Sequence, residues 1–104
     1  MGQRLSNALG LCRKAGRCVT GDETVEKAVR ANKALLVVLD EEASANTRDK
    51  YAFLCRGRGV ELLLTQEPGL AIGKPGNRVI GVTDRGFSDM ILKAYKSENE
   101  CGGK

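Results

Sequence analysis

The sequence contains no histidine and no tryptophan, and its only aromatic residues are two tyrosines and two phenylalanines. Without histidine, neither a Ser-His-Asp nor a Cys-His catalytic group can be assembled within the chain. Because aromatic residues are so few, the core must be built mainly from aliphatic side chains. These absences weigh against a hydrolase and leave an ordinary aliphatic globular domain.

The four cysteines, Cys12, Cys18, Cys55 and Cys101, include no CxxC pair. A zinc site would therefore need thiolates from four scattered positions. Apolar neighbours at helical spacing predict that Cys12 and Cys55 are buried free thiols, whereas Cys101 lies in a polar tail and is expected to be exposed. The acidic run at 40–42 is read as a solvated loop rather than a magnesium site. We expect no disulfide, no metal site and no cofactor.

No apolar run approaches the roughly 20 residues that cross a membrane, and the N-terminus lacks the apolar segment of a signal peptide. These absences predict a cytoplasmic protein. The 104 residues suit one domain, predicted over 1–95, with a flexible polar tail over 96–104. The net charge of +4 and the pI near 9.0 lean mildly towards a polyanionic partner.

Apolar periodicity predicts helices that alternate with strands. We predict helices over 4–15, 22–32, 45–57, 67–72 and 84–95, strands over 34–39, 60–64 and 78–83, and an extended segment at 18–19. The run at 34–39 is continuously apolar, which is typical of a central strand covered on both faces, and 60–64 is predicted to be a second buried strand. This alternation predicts an α/β protein, a single-domain three-layer α/β/α sandwich with a small mixed four-stranded sheet.

The segment 20–30 carries the strongest local signal. Thr20 and Glu23 have the spacing of a capping box at the start of a helix. On that helix Glu23, Lys27 and Arg30 share one narrow face, and the apolar side chains lie opposite. The positive end of the helix dipole can meet phosphate, or polar side chains there can meet base edges. The alternative is a capped surface helix whose charges are merely solvated.

The glycine-containing segment 73–77 resembles a phosphate loop only superficially. It lacks the Walker spacing and the Ser or Thr after the lysine, and it precedes a strand instead of opening a helix. Nucleotide hydrolysis is therefore unsupported. A loop with Lys74, Asn77 and Arg78 can still approach a nucleic-acid backbone closely.

Several short motifs in the same order resemble a known family over about residues 4–95. They are Leu9-Gly10-Leu11 with Arg13-Lys14-Ala15-Gly16, then Gly21 with Lys27-Ala28-Val29-Arg30, then the segments 34–39, 43–47, 69–74 and 82–87. Together they resemble the kink-turn RNA-binding family of ribosomal proteins, which contains the archaeal L-seven-Ae and eukaryotic L-thirty-e proteins, and most closely its small bacterial YlxQ-type branch. The resemblance implies an α/β/α sandwich and RNA binding.

By this resemblance, Gly21 matches the turn glycine that enters the kinked RNA, and Lys27 matches the RNA-facing lysine. Glu23 and Thr24 occupy the places of the Asn-Glu pair that reads tandem sheared G·A pairs in archaeal members. A second loop, here 77–79, touches a flipped-out nucleotide in the family. The predicted RNA-binding residues are Gly21, Glu23, Thr24, Lys27, Arg30, Lys74, Asn77, Arg78 and Val79.

The chain also departs from the family pattern. Glu23 replaces an asparagine, which removes an amide donor and adds a negative charge near RNA. Glu26 stands where threonine is usual, and Pro68 stands where leucine precedes the glycine. RNA binding is therefore expected, while a preference for a standard kink-turn is carried over only in part.

Three hypotheses follow. The first is non-enzymatic binding of structured, kink-turn-like RNA, with ribosomal RNA or ribosome and ribonucleoprotein components as partners and neither membrane nor DNA. The second is a protein-interaction module on the same fold with reduced or lost RNA binding, favoured by Glu23, Glu26 and the mild net charge. The third is a small enzyme acting through Cys18 or the acidic run at 40–42, for which the chain provides no base.

Overall fold

The computed structural model describes residues 2–102, with side chains as far as Glu98. Within that range it contains five helices, α1 (Gln3–Lys14), α2 (Asp22–Arg30), α3 (Ala45–Arg58), α4 (Pro68–Ala71) and α5 (Arg85–Gly102), and four strands, β1 (Cys18–Thr20), β2 (Leu36–Asp40), β3 (Glu61–Thr65) and β4 (Val79–Val82). None of these helices is long and apolar enough to span a membrane.

The four strands form one mixed sheet in the order β1-β4-β2-β3. β2 is parallel to β3, and β4 runs antiparallel to both β1 and β2. All five residues of β2 are buried, as expected for a central strand covered on both faces. β3 is less buried than predicted, because it lies at the sheet edge, where Glu61 is exposed and Leu64 is 38% exposed.

Two aliphatic cores, one on each face of the sheet, confirm the three-layer sandwich. Alternate residues of β2 point to opposite faces, so Leu36 and Val38 join one core while Val37 and Leu39 join the other. The first core is closed by α1, α5 and the end of α4, and the second by α2 and α3. The mainly aliphatic composition of both cores agrees with the sequence prediction.

Local signals define α3 closely. The Ser44 side chain accepts a hydrogen bond from the Thr47 amide at 3.2 Å, which caps the helix start. Gly59 ends the helix in the left-handed conformation at φ 69°. Tyr51 lies on the buried side, as predicted. Cys55 is also buried, and Cys12, Cys18 and Cys55 are all free thiols, so no disulfide joins them.

Two helix ends differ from the prediction. Thr20 belongs to β1 instead of capping α2, and the N-cap residue is Gly21, which has no side chain to cap the helix, so the predicted capping box is wrong. α5 continues past Tyr95 to Gly102. Glu98 contributes to this extension because its carboxylate accepts hydrogen bonds from the Gly2 amide at 3.0 Å and the Leu5 amide at 3.1 Å, which caps α1. Residues 103–104 and the Cys101 side chain lie outside the described residues.

Candidate nucleic-acid interface

The sheet topology brings three segments of the chain to one edge. Thr20, the last residue of β1, pairs with Ile80, and Leu39 near the end of β2 pairs with Val79. The starts of α2 and α3 and the loop before β4 therefore meet above the same ends of the strands. Because both helices present their N-termini here, unpaired backbone N–H groups and two positive dipole ends face this edge.

Gly21 makes the sharp turn from β1 into α2. Its φ of 95° lies in the region that disfavours residues with a Cβ, and no atom outside its neighbours lies within 4 Å of where a Cβ would stand. The turn therefore needs glycine for its backbone conformation, and it leaves open space above the helix start. Asp22 and Glu23 occupy the first turn, where acidic side chains suit the helix dipole.

A groove of about 430 Å³ lies between these segments. The start of α2 contributes Asp22, the start of α3 contributes its capping residues, and the loop before β4 supplies the remaining wall. The residues that line it are Asp22, Ala43, Ser44, Thr47, Gly76, Asn77, Arg78 and Val79. The α2 turn and the loop at 77–79, which are more than fifty residues apart in sequence, thus share one concave surface.

The outer face of α2 carries the exposed side chains Glu23, Thr24 and Lys27. Among the described residues Lys27 forms no ion pair, so its ammonium group is available to a ligand. Val25, on the other side of the helix, is completely buried in the core. The helix therefore has the apolar back and polar front that the sequence predicted.

Arg30 differs from Lys27, because its guanidinium group is engaged within the protein. It lies 3.0 Å from the Glu26 carboxylate, one helical turn away. Lys50 of α3 contacts the same carboxylate at 3.2 Å and the Asp22 carboxylate at 2.8 Å. The Lys50 ammonium group lowers the pKa of both acids, and their charges raise the pKa of Lys50. Two of the three acids on α2 are thus neutralised by α3.

Tyr51 fixes the first turn of α2 to α3. Its ring is fully buried, and its hydroxyl lies 2.6 Å from the Asp22 carboxylate and 2.8 Å from the Asp22 carbonyl oxygen, so it can donate to either. Burial, followed by this hydrogen bond to a carboxylate, raises the Tyr51 pKa, so the hydroxyl keeps its proton. Sequence reasoning missed Asp22, Lys50 and Tyr51, because only folding brings positions 28 residues apart into contact.

The loop before β4 is held by its own backbone and by a buried acid. The Asn77 side-chain amide donates to the Val79 carbonyl at 3.1 Å. Arg78 is 57% exposed, and its guanidinium group lies 3.6 Å from the carboxylate of Asp40, which is buried and also accepts from the Glu42 amide at 2.9 Å. Asp40 is therefore an internal partner of this loop.

The predicted loop residues do not all face the same way. Val79 has its side chain in the core beneath α2 and α3, so only its backbone is available at the groove. Lys74 is exposed, and its positive charge acts on the thiol of Cys18, on the side of the sheet covered by α1. Asn77 and Arg78 line the groove with the α2 turn, whereas Lys74 does not line it and follows Gly73, which faces the end of α1 across a separate hollow.

The sequence of this chain is similar to a known protein family and to individual proteins of known sequence. Residues 3–91 match the model of the ribosomal protein L7Ae/L30e/S12e/Gadd45 family. A relative from Bacillus subtilis, named RNA-binding protein YlxQ, is 36% identical over 87 residues, which cover 81% of this chain and 87% of the relative. A protein of the same name from Enterococcus faecium is 34% identical over 93 residues, which cover 83% and 85%.

Solved structures share the fold. A Bacillus halodurans protein of unknown function superimposes with a TM-score of 0.85 at 33% identity, covering 92% of this chain and 99% of that one. The 15.5kD RNA binding protein of Giardia lamblia superimposes with a TM-score of 0.76 at 17% identity, covering 90% and 83%. At that identity, the second likeness concerns the fold alone.

Proposed function

We propose that this chain, which belongs to the ribosomal protein L7Ae/L30e/S12e/Gadd45 family, is a non-enzymatic protein that binds structured RNA of the kink-turn type. The observation that carries the proposal is the groove shared by the α2 turn and the loop at 77–79, with the unpaired ammonium group of Lys27 on the adjoining helix face. The relatives named as RNA-binding proteins support the same ligand class.

Each residue at the groove has a physically reasonable role. Gly21 lets the RNA approach the helix start, where free N–H groups can bind phosphate or base edges. Lys27 donates to a guanine edge or a phosphate, and Thr24 contributes a neutral hydroxyl beside it. Asn77 and Arg78 border the space for a nucleotide that leaves the stack. Glu23 selects against a standard kink-turn to some degree, because it places an acid where the family has an amide.

We propose ribosomal RNA, or RNA in a ribosome-associated particle, as the natural partner, since the family is one of ribosomal proteins. The protein-interaction alternative rested on the acidic side chains of α2. Lys50 contacts Asp22 at 2.8 Å and Glu26 at 3.2 Å, so among the described residues Glu23 is the one acid of that helix without an ion pair. This arrangement favours an RNA partner over a basic protein.

The direct test uses two synthetic hairpins in gel-shift titrations. One hairpin carries a kink-turn with tandem sheared G·A pairs, and the other replaces these with Watson–Crick pairs. We expect tighter binding to the first, and a loss of about 1–3 kcal/mol for Lys27→Ala, the amount typical of a side chain that reads a base edge. Lys33→Ala is the matched control, because Lys33 is also exposed but follows the other end of α2.

If the protein binds the two hairpins with equal affinity, it has no preference for a kink-turn. If Lys27→Ala binds the kink-turn hairpin as tightly as the unaltered protein does, Lys27 is not part of the site. Purification from cells without nuclease tests the wider proposal. If the purified protein absorbs strongly at 260 nm and a salt wash removes the absorbing material, the result supports an RNA partner. Sequencing of crosslinked RNA would then identify that RNA. A clean protein spectrum with a co-purifying polypeptide would instead support the protein-interaction module.

A further inference from the structure

The net positive charge of the protein is concentrated at one end of the sequence. Residues 1–21 contain four Lys or Arg and no Asp or Glu, whereas residues 22–104 contain thirteen of each. The net charge of +4 is therefore equal to the charge of the first 21 residues. Long-range attraction to a polyanion increases with net positive charge. The position of these cations on the surface therefore indicates where a polyanion is attracted.

Three of these four cations lie together where α1 ends and β1 begins. Arg13 and Lys14 occupy the last turn of α1. Arg17 follows, and its backbone is held between the Cys12 carbonyl, at 3.0 Å, and the Thr83 amide, at 2.9 Å. All three cations are exposed, and among the described residues none of them forms an ion pair.

Lys74 extends this group from the other side. Arg13 and Lys14 line a hollow of about 520 Å³ between α1 and the end of α4, whose opposite wall is residues 71–73, directly before Lys74. Lys74 directly follows this wall in the chain, and the charges of Arg13 and Lys74 both lower the pKa of Cys18. We call Arg13, Lys14, Arg17 and Lys74 the α1–β1 patch.

The α2 helix cannot supply the same attraction. It carries three acids and two cations, and Arg30 is already paired with Glu26. The α1–β1 patch is joined to the α2 turn by β1, which lies at the edge of the sheet. Gly21 follows Arg17 by four residue steps of extended chain, a distance of about 13 Å. An RNA stem entering the groove beside Gly21 can therefore run along β1 to the patch.

We propose that the α1–β1 patch is a second RNA-backbone contact surface, which holds the stem flanking the nucleotides bound at the α2 groove and supplies most of the electrostatic attraction. This inference rests on the proposed RNA binding. The patch contacts phosphates without reading sequence, whereas the groove reads base edges. Affinity and sequence preference are thus assigned to different parts of the surface.

The test compares two triple variants with the same net charge. R13Q/K14Q/R17Q removes three charges from the patch, and R56Q/R58Q/K93Q removes three exposed, unpaired charges from other surfaces within the described residues. Glutamine retains the polar character and helix propensity of these positions, and thermal melts establish that each variant is folded. Affinity for the kink-turn hairpin used above is measured between 50 and 200 mM KCl.

Three lost phosphate contacts reduce the slope of log affinity against log salt by about 2.7, using the value for duplex DNA. Over that fourfold salt range, the unaltered protein should lose roughly 40-fold more affinity than R13Q/K14Q/R17Q does. The other triple variant should follow the unaltered protein, and Lys74→Gln should give about a third of the effect on the slope.

Equal salt slopes for the two triple variants would overturn the patch while leaving RNA binding intact. Failure of the unaltered protein to bind either hairpin at 50 mM KCl would refute the proposed function itself, and the patch with it. A loss of discrimination between the two hairpins in R13Q/K14Q/R17Q would also contradict the inference, since the patch is assigned only backbone contacts.

Discussion

The hydroxyl of Tyr51 offers the sharpest test of how α2 is positioned. Tyr51→Phe removes only the oxygen that bonds to Asp22 at 2.6 Å and 2.8 Å, and leaves the buried ring in place. No cavity is created, so any loss of stability measures the hydrogen bond. The matched control is Tyr95→Phe, because the Tyr95 hydroxyl has no hydrogen-bond partner in the described part of the chain.

A hydrogen bond to a charged group contributes about 1.5–3 kcal/mol when both partners are removed from water. The Asp22 side chain is 57% exposed, so water replaces part of what Tyr51 supplies. We therefore expect Tyr51→Phe to lower the free energy of unfolding by about 1–2 kcal/mol. The Tm should fall by about 4–8 °C for each kcal/mol in a domain of this size.

The effect should also depend on pH. Lys50, and then Tyr51, lowers the pKa of Asp22 below its ordinary value of 3.8, so this stabilisation is present above pH 3.8 and is lost as the pH falls through the folded-state pKa. Urea unfolding of the unaltered protein and of Tyr51→Phe, at pH 7 and at pH 3, measures the loss of unfolding free energy at each pH. If Tyr51→Phe matches Tyr95→Phe at pH 7, Tyr51 does not hold α2 as argued.

Three further outcomes are expected. Gly69→Ala should cost about 1–3 kcal/mol and weaken RNA binding, since its Cβ would collide with the Lys74 carbonyl oxygen; unchanged urea unfolding would contradict this. Iodoacetamide should label Cys18 at a lower pH than an ordinary thiol, because the neighbouring Cys12 thiol and the charges of Arg13 and Lys74 lower the Cys18 pKa to about 7, and Cys12→Ala should raise the labelling midpoint; a midpoint near pH 9 without the substitution would refute this. Glu23→Asn should tighten binding to the sheared G·A hairpin by about 1 kcal/mol, because it removes a negative charge and restores an amide donor, and equal gel-shift titrations would argue against that role.

Local sequence signals predicted the elements that depend on neighbouring residues. Ser44 and Gly59 mark the two ends of α3 through a side-chain cap and a left-handed residue, both set within one turn of the helix. The continuously apolar run in β2 correctly predicted the central strand. The prediction of a second buried strand was wrong for the exposed positions of β3, since residue type does not reveal that a strand lies at the edge of the sheet.

Predictions that depended on distant partners were less complete. The Thr20–Glu23 spacing indicated a capping box, but pairing with Ile80 keeps Thr20 in β1. The polar sequence after Tyr95 predicts that α5 ends there. The local sequence does not reveal the hydrogen bonds that join Glu98 to the start of α1. Local preference was overridden in both cases by a partner far away in sequence.

Periodicity, residue type and local backbone preference were sufficient to predict the α/β class, the aliphatic core, the turn at Gly21 and the exposed position of Lys27, because each of these depends on residues close together in the chain. The folded arrangement was needed to show that Lys50 neutralises two of the three acids of α2, that Lys74 does not line the groove, and that the side chain of Val79 is buried. These outcomes depend on which strands pair and which helices cross the sheet. Such contacts join residues tens of positions apart, and no local preference encodes them.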